Sequence, residues 1–147
     1  MSTTCDSCGA DAVTFRVPAA LREHAPEDAA VAAVCTECLD VAAAPSADAD
    51  AEPDVDPDAE ADAEPSPFRR VAEAFPSGRG GVAFALLLGA LPSLALRKQS
   101  VRALRDEAER AGVDVSLTLR RLAESSSVTP VFDVDRRRRQ FESLLEQ

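Results

Sequence analysis

The chain has 147 residues, a formal net charge of -10, no Trp or Tyr, a single His and four Cys. One His leaves little material for a nucleophile–base pair, and an acid excess opposes binding to polyanions. The charge is divided unevenly: residues 1–66 carry 16 acids and 2 bases, residues 67–147 carry 10 acids and 14 bases.

The acidic, Ala-rich composition, with Lys98 the one lysine against 15 Arg, fits a salt-adapted cytoplasm. Carboxylates hold hydration water, and salt screens their mutual repulsion. Codon usage in a GC-rich genome yields the same bias, and composition leaves both readings open. No apolar stretch behind basic residues precedes the first cysteine, which points to the cytoplasm, where thiols stay reduced.

The chain divides into three parts. Residues 1–43 hold all four cysteines in two brackets, Cys5-Asp6-Ser7-Cys8 and Cys35-Thr36-Glu37-Cys38. Two thiolates three positions apart can reach one ion from a single tight turn, and two such turns complete a tetrahedral set suited to Zn²⁺. Cys5, Cys8, Cys35 and Cys38 are therefore the expected ligands of a structural zinc. Between the brackets, Ala12 to Val17 alternates apolar and polar, with Val13, Phe15 and Val17 on one face, and reads as a strand. Ala19 to His24 reads as one helical turn before Pro26, and Ala29 to Val34 as a second strand. Turn, strand, excursion, strand, turn is the plan of a zinc ribbon. So short a module cannot bury enough surface to fold unaided, so metal would supply on the order of 10 kcal/mol of its folding free energy. Gly9, just after the first bracket, suits a positive φ; Leu39 holds the equivalent place in the second and is expected to pack beneath the strands.

Residues 44–66 carry nine acids, no base and one large apolar residue, Val55. Such a stretch reads as a disordered, solvated, self-repelling acidic linker.

Residues 67–147 read as an all-α helical bundle. Ser66-Pro67 suits a helix start, with Phe68, Val71, Ala72 and Phe75 at helical spacing and Pro76 as the stop. A second helix is expected from about Gly81 to Leu91. A third runs from near Ser100 to Ala111, with Val101, Leu104 and Ala108 inside and Gly112 as its C-terminal cap. Asp114 caps a fourth, with Leu117, Leu119 and Leu122 inside. Asp133 caps a fifth, with Val134, Phe141, Leu144 and Leu145 as its apolar stripe. The uncharged run from Gly80 to Leu96 falls short of the roughly 20 residues a membrane helix needs and contains Pro92. It reads as the buried centre of the bundle.

Rival chemistries suit these residues less well than zinc. A CxxC pair can be a redox dithiol, but two matched pairs outside a βαβ setting favour metal. A four-thiolate site also leaves no open position for water, so the zinc is structural rather than catalytic. His24 is surplus as a ligand and reads as exposed. Arg136 to Arg139 are successive on a helix, spread around its circumference, and pair with Asp135 and Glu142. A nucleic-acid contact, if there is one, would use Arg97, Lys98, Arg102 and Arg105.

The opening Cys5-Asp6-Ser7-Cys8-Gly9, the stretch Arg16 to Pro26, the acidic linker, the Leu-rich block Ala85 to Ala95 and the run Ala108-Glu109-Arg110-Ala111-Gly112-Val113-Asp114 together resemble a haloarchaeal family of unknown function. The resemblance implies an N-terminal four-cysteine zinc ribbon, a C-terminal helical region and a salt-adapted host, and brings no activity with it. The expectation is a non-enzymatic, cytoplasmic zinc protein that binds a protein partner. The alternatives are a zinc ribbon associated with nucleic acid in transcription or translation, and a CxxC thiol oxidoreductase.

Overall fold

The computed structural model describes residues 3–44, 53–57 and 67–146. Four short antiparallel strands form one sheet in the order β1 (Thr3–Thr4), β2 (Asp11–Arg16), β3 (Val31–Cys35) and β4 (Val41–Ala43). The central pair is in register from Ala12 opposite Cys35 to Arg16 opposite Val31. Val13, Phe15 and Val17 are fully buried, as their alternation requires. Between β2 and β3 the chain makes a 3-10 turn, Ala19–His24, that buries Leu21.

Four α-helices follow: α1 (Gly78–Ala90), α2 (Lys98–Arg110), α3 (Val115–Glu124) and α4 (Val134–Leu145). Helix α1 has ten buried residues and forms the centre of the molecule. Among the described residues no helix is long and apolar enough to cross a membrane. The caps fall where short polar side chains invite them. Asp114 accepts from the Leu117 N–H at 3.1 Å and Asp133 from the Arg136 N–H at 3.0 Å. Gly112 ends α2 with φ 91°, the left-handed shape that glycine adopts without strain.

The stretch from Pro67 to Phe75 departs from the helix expected there. Only Pro67–Arg70 is helical, as a 3-10 turn, although Phe68, Val71, Ala72 and Phe75 are all buried. The periodicity identified the inward face but not the helix type. Pro76 disfavours α geometry at the residue before it, and the eight residues between Pro67 and Pro76 leave no room for a self-supporting helix. Leu117 also departs from expectation, at 38% exposure, while Val115 takes the buried place with Leu119 and Leu122. Positions 115, 119 and 122 share a helical face, and 117 lies on the far side.

The sheet and the helices follow one another as expected, but they share a core rather than packing separately. One apolar core takes in Val13, Phe15 and Leu39 from the sheet, Val55 from the acidic stretch, and residues of every helix. Four Phe rings make a bridge across it: Phe15 to Phe68 at 5.7 Å, Phe68 to Phe75 at 4.8 Å and Phe75 to Phe84 at 5.2 Å between centroids. Helix α1 lies so close to β4 that a Cβ on Gly89 would sit 2.9 Å from the Val41 Cβ. The gap between sheet and helix thus requires glycine there.

Residues 53–57 depart from a plain tether. Val55 is 6% exposed and forms a parallel bridge with Phe15. Its N–H donates to the Thr14 carbonyl at 3.0 Å and its carbonyl accepts from the Arg16 N–H at 2.9 Å. Asp54 accepts from the Thr14 N–H at 3.1 Å and from Arg70 at 3.0 Å. Strand β1 covers only the Asp11–Ala12 end of β2, so this segment occupies the rest of that edge and satisfies backbone groups that would otherwise be open. One apolar residue suffices because it adds to an existing core. The remainder of the expected linker, residues 45–52 and 58–66, lies outside the described residues.

Candidate metal centre

Each cysteine bracket sits at the end of the central hairpin. The first turn joins β1 to β2, and the second joins β3 to β4. The two are built alike. The Cys5 N–H donates to the Ala10 carbonyl at 2.8 Å, and the Cys35 N–H to the Asp40 carbonyl at 2.9 Å. Gly9 has φ 80° and Leu39, its counterpart, φ 63°. This reversal lets backbone N–H groups turn toward sulfur. Ser7 N–H lies 3.4 Å from the Cys5 Sγ, and Glu37 and Cys38 N–H lie 3.4 and 3.3 Å from the Cys35 Sγ.

The in-register pairing of Ala12 with Cys35 brings the turns face to face. All four Sγ atoms lie within 4.8 Å of one another. Cys5 to Cys38 is 3.6 Å and Cys8 to Cys35 is 3.4 Å. A tetrahedral zinc with bonds of about 2.3 Å would set its sulfurs about 3.8 Å apart, so the cluster has the size of a zinc tetrathiolate. All four thiols are free; Cys5, Cys35 and Cys38 are buried and Cys8 is exposed. The structure therefore brings together the full expected ligand set, and those residues could hold one metal ion.

The electrostatics fit a cation. Burial pushes the Cys38 thiol up, and the neighbouring sulfurs of Cys35, Cys5 and Cys8 push it further. Burial likewise raises Cys35 against the opposing N–H groups of Cys38 and Glu37. For Cys5, burial raises the thiol, but N–H groups of Cys8 and Ser7 and the Cys38 and Cys35 side chains together hold it below its ordinary value. Several thiolates cannot share this volume without a positive charge between them; a divalent ion removes that obstacle and displaces the protons.

The second bracket has neighbours that the sequence did not announce. The loop between α3 and α4 lies against it: the Thr129 N–H donates to the Glu37 carbonyl at 2.6 Å and the Val131 N–H to the Cys38 carbonyl at 3.0 Å. Leu39, at the strained position, is fully buried in the main core. A left-handed non-Gly residue costs about 1–2 kcal/mol, and burying a leucine returns about 1.5–3 kcal/mol, so burial holds the turn in this shape.

Three of the four basic residues considered for nucleic acid are engaged within the protein. Arg97 donates to the His24 carbonyl at 2.8 Å, Arg102 to the Leu144 carbonyl at 3.1 Å, and Arg105 pairs with Glu109 at 3.2 Å. Lys98 is the one of the four with no internal partner among the described residues, and it stands exposed. His24, expected to be exposed, is half-buried. Its Nδ1 lies 2.8 Å from the Ser100 hydroxyl, which joins the 3-10 turn to α2. No spacing pattern in the sequence signals that contact.

Residues 4–145 match a family described as a family of unknown function (DUF6276). No curated protein and no solved structure matches the chain.

Proposed function

Because the chain belongs to that family of unknown function, whose membership brings no activity with it, we propose from the site itself that Cys5, Cys8, Cys35 and Cys38 hold one structural Zn²⁺ in a non-enzymatic protein-interaction adaptor. The observation that carries the metal reading is the cluster of four sulfurs within 4.8 Å, built from two turns of like geometry. The ion's role is structural: four sulfurs fill a tetrahedral shell, and three of the ligands are buried. It would join the ends of a sheet whose other face is the core of the helices. With the thiols so engaged, the part left for other molecules is the surface of the helical half.

Two other readings have less support. The nucleic-acid reading rested on Arg97, Lys98, Arg102 and Arg105, of which three have internal partners. The thiol-oxidoreductase reading needs each CxxC to act as a separate pair, whereas the four sulfurs form one cluster within 4.8 Å that also brings Cys5 beside Cys38 and Cys8 beside Cys35. We place the protein in a reducing cytoplasm, which keeps four thiols available to metal. We read the net charge of -10 as salt adaptation; a melting temperature that fails to rise with molar potassium chloride would refute that.

Cobalt substitution tests the proposal. Titrating Co²⁺ into reduced, zinc-free protein should give the intense visible absorption of a tetrahedral tetrathiolate, saturating at one ion per chain and displaced by Zn²⁺. An octahedral spectrum, or catalysed disulfide reduction by the zinc-loaded protein, would overturn it.

A further inference from the structure

Outside the metal centre, the strongest feature is a basic groove between α4 and the turn that leads into α2. It encloses about 620 Å³, and Lys98, Arg136, Arg137 and Arg139 line it over a floor that includes Leu94 and Leu144. Four successive arginines do spread around a helix, yet only Arg138 points away. It is held by Asp135 at 2.6 Å and Glu142 at 3.0 Å. The other three arginines and Lys98 converge on one groove, which no acidic side chain among the described residues lines. Among the described residues neither the Lys98 ammonium nor the Arg136 guanidinium has a carboxylate partner and Arg137 meets only the Gln140 amide at 3.0 Å, while Arg139 is paired with Asp135 at 3.6 Å.

We propose that this groove binds a short acidic peptide segment of a partner protein, one that alternates carboxylates with an apolar anchor. The proposal rests on the adaptor reading above and names the chemistry of its partner. Three observations carry it. Three uncompensated cations, Lys98, Arg136 and Arg137, fit several carboxylates at once, with the exposed Arg139 beside them. The floor is apolar: Leu94 and Leu144 are 6% and 5% exposed, and their carbons would receive an anchor side chain. Ala95 and Lys98 also border a second depression of about 400 Å³, lined by Leu96 and Arg97 with Glu23 as its one acidic side chain among the described residues. Leu96 is 89% exposed, the most exposed large apolar residue described. Two adjoining depressions with Leu96 exposed at the second suit an extended segment more than a compact ligand. A nucleic-acid strand fits less well, since no aromatic side chain lines either depression to stack a base.

The test uses the full zinc-loaded chain and a fluorescein-labelled twelve-residue peptide alternating Glu and Leu, read by anisotropy. Two further probes are a peptide with Ser in place of Leu and a single-stranded oligonucleotide of the same length. Wild type should bind the Glu/Leu peptide in preference to both. Affinity should fall between 0.1 M and 1 M salt, as the screening length drops from about 10 Å to 3 Å. The double variant Arg136→Glu/Arg139→Glu, both at exposed sites, should weaken binding by about tenfold or more. Arg69→Glu, an exposed charge reversal outside the groove, should leave it unchanged.

Equal loss in the Arg69→Glu variant would overturn the proposal by showing a non-specific charge effect. Tighter binding of the oligonucleotide, lost in the double variant, would overturn it in favour of nucleic acid. Peptide binding that emerges only after the acids of residues 48–64 are changed to Asn and Gln would overturn it in favour of the chain's own acidic stretch. The cobalt spectrum of the same samples separates the two levels: a groove that fails beside an intact spectrum refutes the groove and leaves the metal reading standing.

Discussion

The first cysteine turn, Cys5 to Gly9, lies at the rim of the molecule; the second, Cys35 to Leu39, reaches into its interior. Both have the same spacing, the same backbone reversal and matching hydrogen bonds. In the first, only Cys5 is buried, and glycine supplies the left-handed residue without strain. In the second, Cys35, Cys38 and Leu39 are buried, and two carbonyls accept from the loop between α3 and α4. The difference teaches that one motif can serve two structural ends. The inner turn is anchored in the core as well as by any ion it holds, while the outer turn, on a two-residue strand, would depend on the ion alone to stay docked. Metal in this site would secure an edge of the sheet and, through the inner turn, the helices as well.

The largest effect expected is at the inner turn. Cys38→Ser should lose the metal and destabilise the whole chain by roughly 4 kcal/mol or more. Circular dichroism should show the helical signal melting early and together with the sheet, because the core is shared. Cys8→Ser should also weaken metal binding but leave the helical melt closer to wild type, since Cys8 is exposed and outside the core. Equal helical losses in both variants would break the distinction between the turns.

Leu39→Ala should cost about 2–5 kcal/mol through the cavity it leaves, whereas Gly9→Ala should cost only about 1 kcal/mol of backbone strain. A reversed order, measured by urea unfolding, would mean that the inner turn is not anchored by its leucine. Val55→Ala removes two buried carbons and should cost about 1.5–2 kcal/mol. A variant as stable as wild type would return residues 53–57 to the status of a plain tether.

The smallest effect tests the helical surface away from both turns. A hydrogen bond from Arg138, with help from its charge and that of Arg139, holds the Asp135 carboxyl below the usual carboxylate range. A carboxyl lowered on folding contributes stability above its unfolded value, about 3.9, and loses it as pH falls through the folded value. Asp135→Asn should therefore lower stability slightly at pH 7 and bring the two proteins together under strongly acidic conditions. A difference that widens on acidification would contradict the sign.

The four-cysteine cluster was legible because a site that could hold a metal imposes a spacing on the chain, and spacing is what a sequence displays directly. The same holds for Asp114 and Asp133, whose cap bonds run to N–H groups three residues on. Contacts made across long separations left no such trace. Val55 pairs with Phe15, Thr129 and Val131 reach the second bracket, and His24 meets Ser100; each depends on how separate segments pack. Residues that satisfy local patterns were therefore readable, while the reason the ribbon and the helices form one core was not. The arginines of α4 lie between these cases. Their angular spread was readable, but which three would face Lys98 depended on where α4 docked.

The most direct test of the central claim is the melting temperature of the reduced, native protein before and after a high-affinity zinc chelator at neutral pH, with metal content measured on the same sample. One zinc per chain, released by the chelator with a large fall in the melting temperature of both sheet and helix, is the predicted result. A chain that holds no metal, or one that releases it and melts unchanged, would contradict the claim that an ion held by the four sulfurs secures this fold.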